Sequence, residues 1–172
     1  MPEQTQIRRL EVRDAPDYRA LRLHALRAHE DAFTSSFEEE NVRQLADTEM
    51  RLRAVEAGKL WGAYVASQMV GMVGLSLETR IKNRHKGLLV SMYVAPEYTR
   101  RGLGLSLVDT VVQDARACGL ELVLLTVTES NHAAIALYQK CGFTAFGTEP
   151  DAIRVNGVSF GKTHMYLSLK NN

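Results

Sequence analysis

The stretch YTRRGLGLSLV, residues 98–108, places two glycines and two arginines at the predicted junction of a strand and a helix. The first N–H groups of a helix have no partner inside the helix, and phosphate oxygens bind there readily. Gly102 and Gly104 allow close approach to the main chain and permit a positive φ. Arg100 and Arg101 add charge. The stretch predicts a pyrophosphate-binding turn or, equally, an ordinary turn with a solvated arginine pair.

Two common phosphate motifs do not fit this turn. A Walker A loop requires GxxxxGK followed by Ser or Thr, which the sequence lacks. A dinucleotide-binding turn requires GxGxxG, but Leu107 stands where close helix packing calls for Gly or Ala. Glu121, at about the distance of the expected acidic residue, precedes the next predicted strand instead of ending it. The sequence therefore disfavours an NAD-type nucleotide site.

A second group of residues lies in SNHAAIALYQKCGF, residues 130–143, which predicts a short helix. Asn131 and Tyr138 are seven positions apart, so they share one helix face with Ala134 and Ile135. An amide and a phenol then flank a small apolar patch, along which a long, thin ligand fits. Asn131 could equally be a plain N-cap, and Tyr138 a half-buried core aromatic.

Length and composition limit the classes of protein to consider. The chain has 172 residues, 45% of them hydrophobic, with a net charge of +1, which predicts one domain over residues 1–172 and argues against a general nucleic-acid binder. Neither a secretory signal nor a membrane span is recognisable, so we expect a cytoplasmic protein without a membrane partner. Cys118 and Cys141 stand alone, which predicts two buried thiols and neither a disulfide nor a metal site.

The hydrophobic pattern predicts an α/β fold with a mixed sheet of six to seven strands and about four helices, in the order β-α-α-β-β-β-α-β-α-β-β. Asp14 is predicted to cap a helix that includes Tyr18 to His29, and a second helix is predicted from Ala46 to Ala57. EDAFTSSFEEE between them is predicted to be a loop. Two apolar runs, LWGAYVA and MVGMVGLSL, are separated by SQ and predict a hairpin. LLVSMYV and LELVLLTV are predicted to be parallel strands joined by a right-handed crossover helix that ends at Gly119. The apolar stripe of that helix is predicted at Leu107, Val108, Val111, Ala115 and Cys118.

Two stretches of the chain carry a family resemblance through their order and spacing: MYVAPEYTRRGLGLSLV and LLTVTESNHAAIALYQKCGF. In these stretches the chain resembles the GNAT superfamily of acetyl-CoA-dependent N-acetyltransferases. The resemblance extends more loosely over nearly the whole chain. It departs from the family pattern at Thr99, where the phosphate turn usually has Gln or Arg; Arg100 follows and can supply that charge. The resemblance implies a GNAT-like fold and acetyl-CoA as co-substrate.

The resemblance also implies roles for individual residues. The N–H groups of Arg101 to Leu105 would hold the CoA pyrophosphate, the strand from Met92 to Val94 would pair with the pantetheine arm, and Asn131 would hydrogen-bond that arm from the other side. The residues expected to bind the cofactor are Met92, Tyr93, Val94, Thr99, Arg100, Arg101, Gly102, Leu103, Gly104, Leu105, Asn131 and Ala134.

The implied reaction is direct attack of a primary amine on the thioester, without a covalent enzyme intermediate and without a metal. Tyr138 would protonate the departing thiolate, since a phenol is a mild acid. LLVSMYV carries no carboxylate, so the base candidates are Glu78, His85 or a chain of water molecules. Glu38, Glu39 and Glu40 are either attractors of a cationic amine or a solvated acidic run.

The acceptor is expected to be a small-molecule or peptide amine. A homodimer is plausible through pairing of the last two strands. The alternative function is a non-catalytic module that binds or senses acyl-CoA.

Overall fold

The computed structural model describes residues 4–170, in which one seven-stranded mixed sheet packs between helices. The prediction of one domain over residues 1–172 also takes in residues 1–3 and 171–172, which lie outside this range. The helices are α1 (Ala15–Ala28), α2 (Phe37–Asn41), α3 (Leu45–Arg53), α4 (Leu103–Ala117) and α5 (His132–Lys140). The strands are β1 (Thr5–Arg9), β2 (Gly58–Val65), β3 (Gln68–Leu77), β4 (Lys86–Val94), β5 (Leu122–Thr128), β6 (Thr144–Val155) and β7 (Val158–Ser168).

The strand order is β1-β2-β3-β4-β5-β7-β6, and every neighbouring pair is antiparallel except β4 and β5. Helix α4 connects these two parallel strands, which confirms the predicted strand-helix-strand unit; its right-handed course stays a prediction. The predicted hairpin of β2 and β3 is also confirmed, and Ala66 and Ser67 at its turn have positive φ. The expected mixed α/β sheet is therefore present with seven strands.

Strands β4 and β5 pair over a short length only. Their register runs from Lys86 opposite Leu122 to Leu88 opposite Leu124. Farther along, a bulge interrupts β4: Gly74 of β3 pairs with Val90, but Met72 pairs with Tyr93, so two β4 residues face one β3 residue. Ser91, inside this bulge, has a φ of 57°. A bulge bends its strand, and here β4 diverges from β5.

Two apolar clusters cover the sheet, one beneath α4 and α5 and the other beneath α1. The predicted stripe of α4 is confirmed at Leu107, Val108, Val111 and Ala115, which are completely buried. The prediction of two buried thiols is wrong. Cys118 follows the end of α4 and is exposed, and Cys141 is half-buried.

Three predictions about the helices before β2 need correction. α2 forms within the stretch predicted to be a loop, because Ser36 and Glu39 make a reciprocal capping box that starts a helix. α3 ends at Arg53 and not at Ala57, since Gly58 already begins strand β2. α1 begins at Ala15, directly after Asp14 as predicted and with Pro16 in its first turn, but it ends at Ala28, one residue before His29.

The side chain of Asp14 does not cap α1 as predicted but closes a buried polar network. Its carboxylate accepts two hydrogen bonds from the Arg8 guanidinium at 2.7 and 2.8 Å and one from the Glu11 N–H at 2.8 Å. The Tyr64 hydroxyl donates a fourth at 3.3 Å. The hydrogen bonds from Arg8 are the main cause that lowers the pKa of Asp14 to about 2. The network ties β1 and β2 to the start of α1.

We expect Asp14→Asn to destabilise the protein by about 2 to 3 kcal/mol at pH 7, from a pKa difference of about two units. Because the pKa of Asp14 is lower in the folded state than in the unfolded state, this contribution is complete above about pH 4 and disappears as the pH falls to about 2. Urea unfolding between pH 7 and pH 3 measures it. The exposed Asp17→Asn variant is the control, and an acid dependence that is equal in Asp14→Asn and wild type would contradict the assignment.

No helix within residues 4–170 combines the length and apolar character needed to cross a membrane. Cytoplasmic location and dimer formation stay predictions.

Candidate active site

A cleft of about 1630 Å³ opens where β4 and β5 diverge. One part, which we call the α4 half, is lined by the turn before α4 and by α5. The other part, the α1 half, is lined by the segment from α1 to α3 and by Lys162 of β7. The volume of the whole cleft exceeds the roughly 300–1,000 Å³ typical of a pocket for one drug-sized ligand. The cleft has room for two ligands side by side.

The turn before α4 has the backbone geometry expected of an anion site. Gly102 is the N-cap of α4, with a φ of 80° in the left-handed region, and Arg100 also has a positive φ of 61°. Within residues 4–170 the N–H groups of Leu103, Gly104 and Leu105 have no hydrogen-bond partner, as expected for the first turn of a helix. Gly104 and Leu105 line the cleft, so N–H groups of this first turn are available there to phosphate oxygens.

Gly104 has space for a main chain but little for a side chain. A Cβ placed there would lie 3.1 Å from Cδ2 of Leu137 and 3.4 Å from Cε of Met92. Both neighbours line the cleft. A glycine at this position therefore keeps the N–H groups of the turn accessible between α5 and β4.

Ten of the twelve residues expected to bind the cofactor line the cleft, and two do not. The ten are Met92, Tyr93, Val94, Thr99, Arg100, Gly102, Gly104, Leu105, Asn131 and Ala134. The side chain of Leu103 is buried in the core, and the Arg101 guanidinium lies over the Tyr98 ring, 5.1 Å from its centroid. The Thr99 hydroxyl donates to the Pro96 carbonyl at 2.8 Å, so it does not reproduce the role of the usual Gln or Arg.

The edge of β4 that faces β5 has no strand partner beyond Leu88 within the described chain. Its other edge pairs with β3, and β5 in turn pairs with β7. Met92, Tyr93 and Val94 lie along this open edge and line the cleft. An extended ligand with amide groups can hydrogen-bond to main-chain groups here as an additional strand would.

Helix α5 brings Asn131 and Tyr138 to the same cleft. The Asn131 side-chain oxygen accepts the Ala134 N–H at 3.1 Å, so the N-cap alternative is correct for that oxygen. The Tyr138 ring is 6% exposed and packs edge-on against Phe143. Burial raises the pKa of the Tyr138 hydroxyl above its usual value, so the phenol keeps its proton at neutral pH.

The structure does not bring the two predicted bases to the cleft. Glu78 and His85 are exposed residues beside the ends of β3 and β4 at which β4 still pairs with β5. Neither lines the cleft. The bulge that opens the sheet lies several residues farther along β4, which is why these positions are remote from it.

Of the two alternatives for the acidic run, the solvated run describes Glu38 and Glu39 better than the attractor of an amine does. Glu39 caps α2 and Glu38 is exposed, so only Glu40 of the acidic run lines the cleft. Cations outnumber this carboxylate among the lining residues; they are Arg22, Arg43, Arg51, Arg100, Lys140 and Lys162. The cleft is therefore electropositive, although the chain is nearly neutral.

Among the residues of the α1 half that sequence reasoning missed are Arg22, His29 and Lys162. Arg22 had a detectable signal, because it follows Tyr18 by one turn and precedes Ala25, so a charge occupies the apolar face of α1. His29 lies 5.7 Å from the Tyr93 ring, centroid to centroid. Lys162, only 5% exposed, has a pKa lowered mainly by burial.

Comparison with known proteins agrees with this fold. A model of the acetyltransferase (GNAT) family matches residues 22–143, and the chain belongs to this family of acyltransferases. The L-methionine sulfoximine/L-methionine sulfone acetyltransferase of Salmonella typhimurium is 34% identical over 83 residues, 46% of each chain. The match thus spans about half the length of that curated relative.

Solved structures match the chain over nearly its whole length. A GNAT-family acetyltransferase from Streptococcus pneumoniae has a TM-score of 0.86 and 25% identity, with 96% of this chain and 100% of that chain covered. YncA from Salmonella typhimurium, solved with its cofactor acetyl-CoA, also has a TM-score of 0.86, at 20% identity over 98% of this chain and 96% of that one. The GNAT-like fold predicted from the sequence is confirmed.

Proposed function

We propose that the protein transfers the acetyl group of acetyl-CoA to a primary amine. The observation that carries the proposal is the convergence of three features on one cleft: the unpaired N–H groups that begin α4, the open edge of β4, and Tyr138. A pyrophosphate, a chain with two amides and a thioester follow one another in acetyl-CoA. Each of these three parts has a matching feature in the cleft. Acetyl-CoA in the Salmonella YncA structure, which shares this fold, is consistent with the proposal.

The α4 half of the cleft suits the cofactor. The N–H groups of Leu103, Gly104 and Leu105 would bind the pyrophosphate, and Arg100 would add charge. Met92, Tyr93 and Val94 would pair through their main chain with the pantetheine arm, and Asn131 would contact the arm from α5.

The main task of the protein is to position the amine and the thioester, because an amine attacks a thioester directly and needs no protein nucleophile. A main-chain N–H on the open edge of β4 would stabilise the oxyanion that develops on the carbonyl. Tyr138 would give its proton to the thiolate as the C–S bond breaks.

The attacking amine must first lose a proton. Glu78 and His85 lie outside the cleft, so we do not assign this role to them. We assign it to His29, acting directly or through water, because an imidazole nitrogen can accept a proton and His29 lies in the cleft beside Tyr93.

A thiol-release assay tests the proposed function. Purified protein with acetyl-CoA is expected to release CoA in the presence of amines from a panel of amino acids, amino-acid amides, polyamines and short peptides. Each CoA released should be matched by one acetylated amine in the mass spectrum. Tight binding of acetyl-CoA without release by any amine would contradict the proposal and support the alternative of a sensing module.

A further inference from the structure

Arg22 is a buried cation without an ionic partner. The residue is 8% exposed, and its Nε and Nη1 atoms are buried without a hydrogen-bond partner among residues 4–170. The guanidinium lies over the face of the Phe33 ring, 4.9 Å from the ring centroid, and this face offers no hydrogen-bond acceptor oxygen. A buried guanidinium without a hydrogen-bonded anion is unfavourable, so this arrangement calls for an external partner.

The surrounding charges do not satisfy Arg22. Burial is the main cause that lowers its pKa, and the nearby Arg51 lowers it further. The charge of Glu40 acts in the opposite direction and raises the pKa of Arg22. The Glu40 carboxylate, however, lies 3.8 Å from Arg43 and forms no ion pair with Arg22 in the described chain. Two guanidinium groups therefore share a site with one carboxylate that is already engaged.

A hydrogen-bonded chain connects this site to the bulge of β4. The Arg51 guanidinium donates to the Tyr18 hydroxyl at 3.2 Å, and that hydroxyl is 3.4 Å from the Ser91 hydroxyl. Tyr18 and Arg22 are one turn apart on α1, so their side chains are neighbours. Arg22 is thus placed beside the strand segment along which the thioester would lie, and it lines the cleft there.

We propose that the amine acceptor also carries a carboxylate, and that Arg22 binds this carboxylate. The inference rests on the proposed function, since it names the acceptor class of the same cleft. Arg22 presents a planar pair of donors that matches a carboxylate, and Arg51 adds positive charge. The short path from Arg22 through Tyr18 to Ser91 favours a small acceptor with amine and carboxylate close together, as in an α-amino acid.

The test compares each of the common L-amino acids with its own amide, which keeps the amine and the side chain but lacks the carboxylate. The proteins are wild type, Arg22→Met, Arg22→Lys and, as the control, Arg27→Gln at an exposed arginine of the same helix. The measurements are kcat and KM in the thiol-release assay, acetyl-CoA affinity, acceptor binding by calorimetry and the melting temperature.

The wild-type protein is expected to acetylate at least one amino acid with a higher kcat/KM than the corresponding amide. This preference is expected although the ammonium group of the amide loses its proton more readily. Arg22→Met should raise KM and Kd for that acid by about 10- to 100-fold, the range for losing hydrogen bonds to a charged group, and leave the amide and acetyl-CoA values unchanged. The KM and Kd of Arg22→Lys for that amino acid should lie between those of wild type and Arg22→Met. The values of Arg27→Gln should equal those of wild type. Arg22→Met should melt no lower than wild type, because the removed charge was unpaired.

Two results would overturn the inference: no preference for any acid over its amide in wild type, or an equal loss for acid and amide in a folded Arg22→Met. Failure of the proposed function looks different, because no amine then releases CoA. Calorimetric binding of an amino acid that depends on Arg22 would support the inference even in that case.

Discussion

Gly104→Val is expected to weaken acetyl-CoA binding by at least about 100-fold while α4 stays folded. The Cβ of a residue at 104 already lies 3.1 Å from Leu137 and 3.4 Å from Met92, so a branched side chain must turn toward the N–H groups that begin the helix. Three or more charge-assisted hydrogen bonds to the pyrophosphate would be blocked, each stabilising by about 1.5–3 kcal/mol. Calorimetric titration with acetyl-CoA measures the loss.

Gly147→Val is the matched control, since a Cβ at Gly147 has no neighbour within 4 Å and the residue lies on β6, away from the cleft. It should bind acetyl-CoA as wild type does. Circular dichroism shows whether each variant is folded. A folded Gly104→Val with wild-type affinity would show that the turn before α4 does not hold the cofactor.

Tyr138→Phe is expected to lower kcat by about 100-fold and to leave acetyl-CoA affinity within a factor of about two. The phenol has no hydrogen-bond partner in the described chain, so its loss removes a proton donor without breaking a structural bond. Because burial raises the pKa of Tyr138, the donor is protonated throughout the neutral range, and the variant should lose activity equally from pH 6 to pH 8. Initial rates of wild type and Tyr138→Phe from pH 6 to pH 8 measure this loss of activity.

Tyr166→Phe, a half-exposed tyrosine of β7, provides the control and should keep wild-type rates. Undiminished kcat in Tyr138→Phe would remove this residue from the mechanism. A raised KM for acetyl-CoA with unchanged kcat would make it a binding residue instead.

Local patterns predicted most of the architecture. The apolar spacing of Leu107, Val108, Val111 and Ala115 identified α4 and its buried face, and two apolar runs separated by SQ identified the hairpin of β2 and β3. The glycine turn and the Asn131-to-Tyr138 spacing identified the α4 half of the cleft. These features depend on residues close together in the chain, which is why sequence alone revealed them.

The α1 half of the cleft depends on contacts between distant segments and could not be predicted in the same way. The bulge at Ser91 sets where the sheet opens, and no local motif marks it. As a result, Glu78 and His85 looked close to the site along the chain but lie outside the cleft. Arg22 and Lys162 come from α1 and β7 and meet there only through the tertiary fold.

The most direct test of the central claim is a pair of calorimetric titrations of the wild-type protein, one with CoA and one with pantetheine, which lacks the diphosphate and the phosphorylated adenosine attached to it. If main-chain N–H groups at the start of α4 bind the diphosphate, CoA should bind with a Kd of about 1 to 100 µM, and pantetheine about 100-fold more weakly. Absence of CoA binding, or equal affinity for the two ligands, would contradict the account.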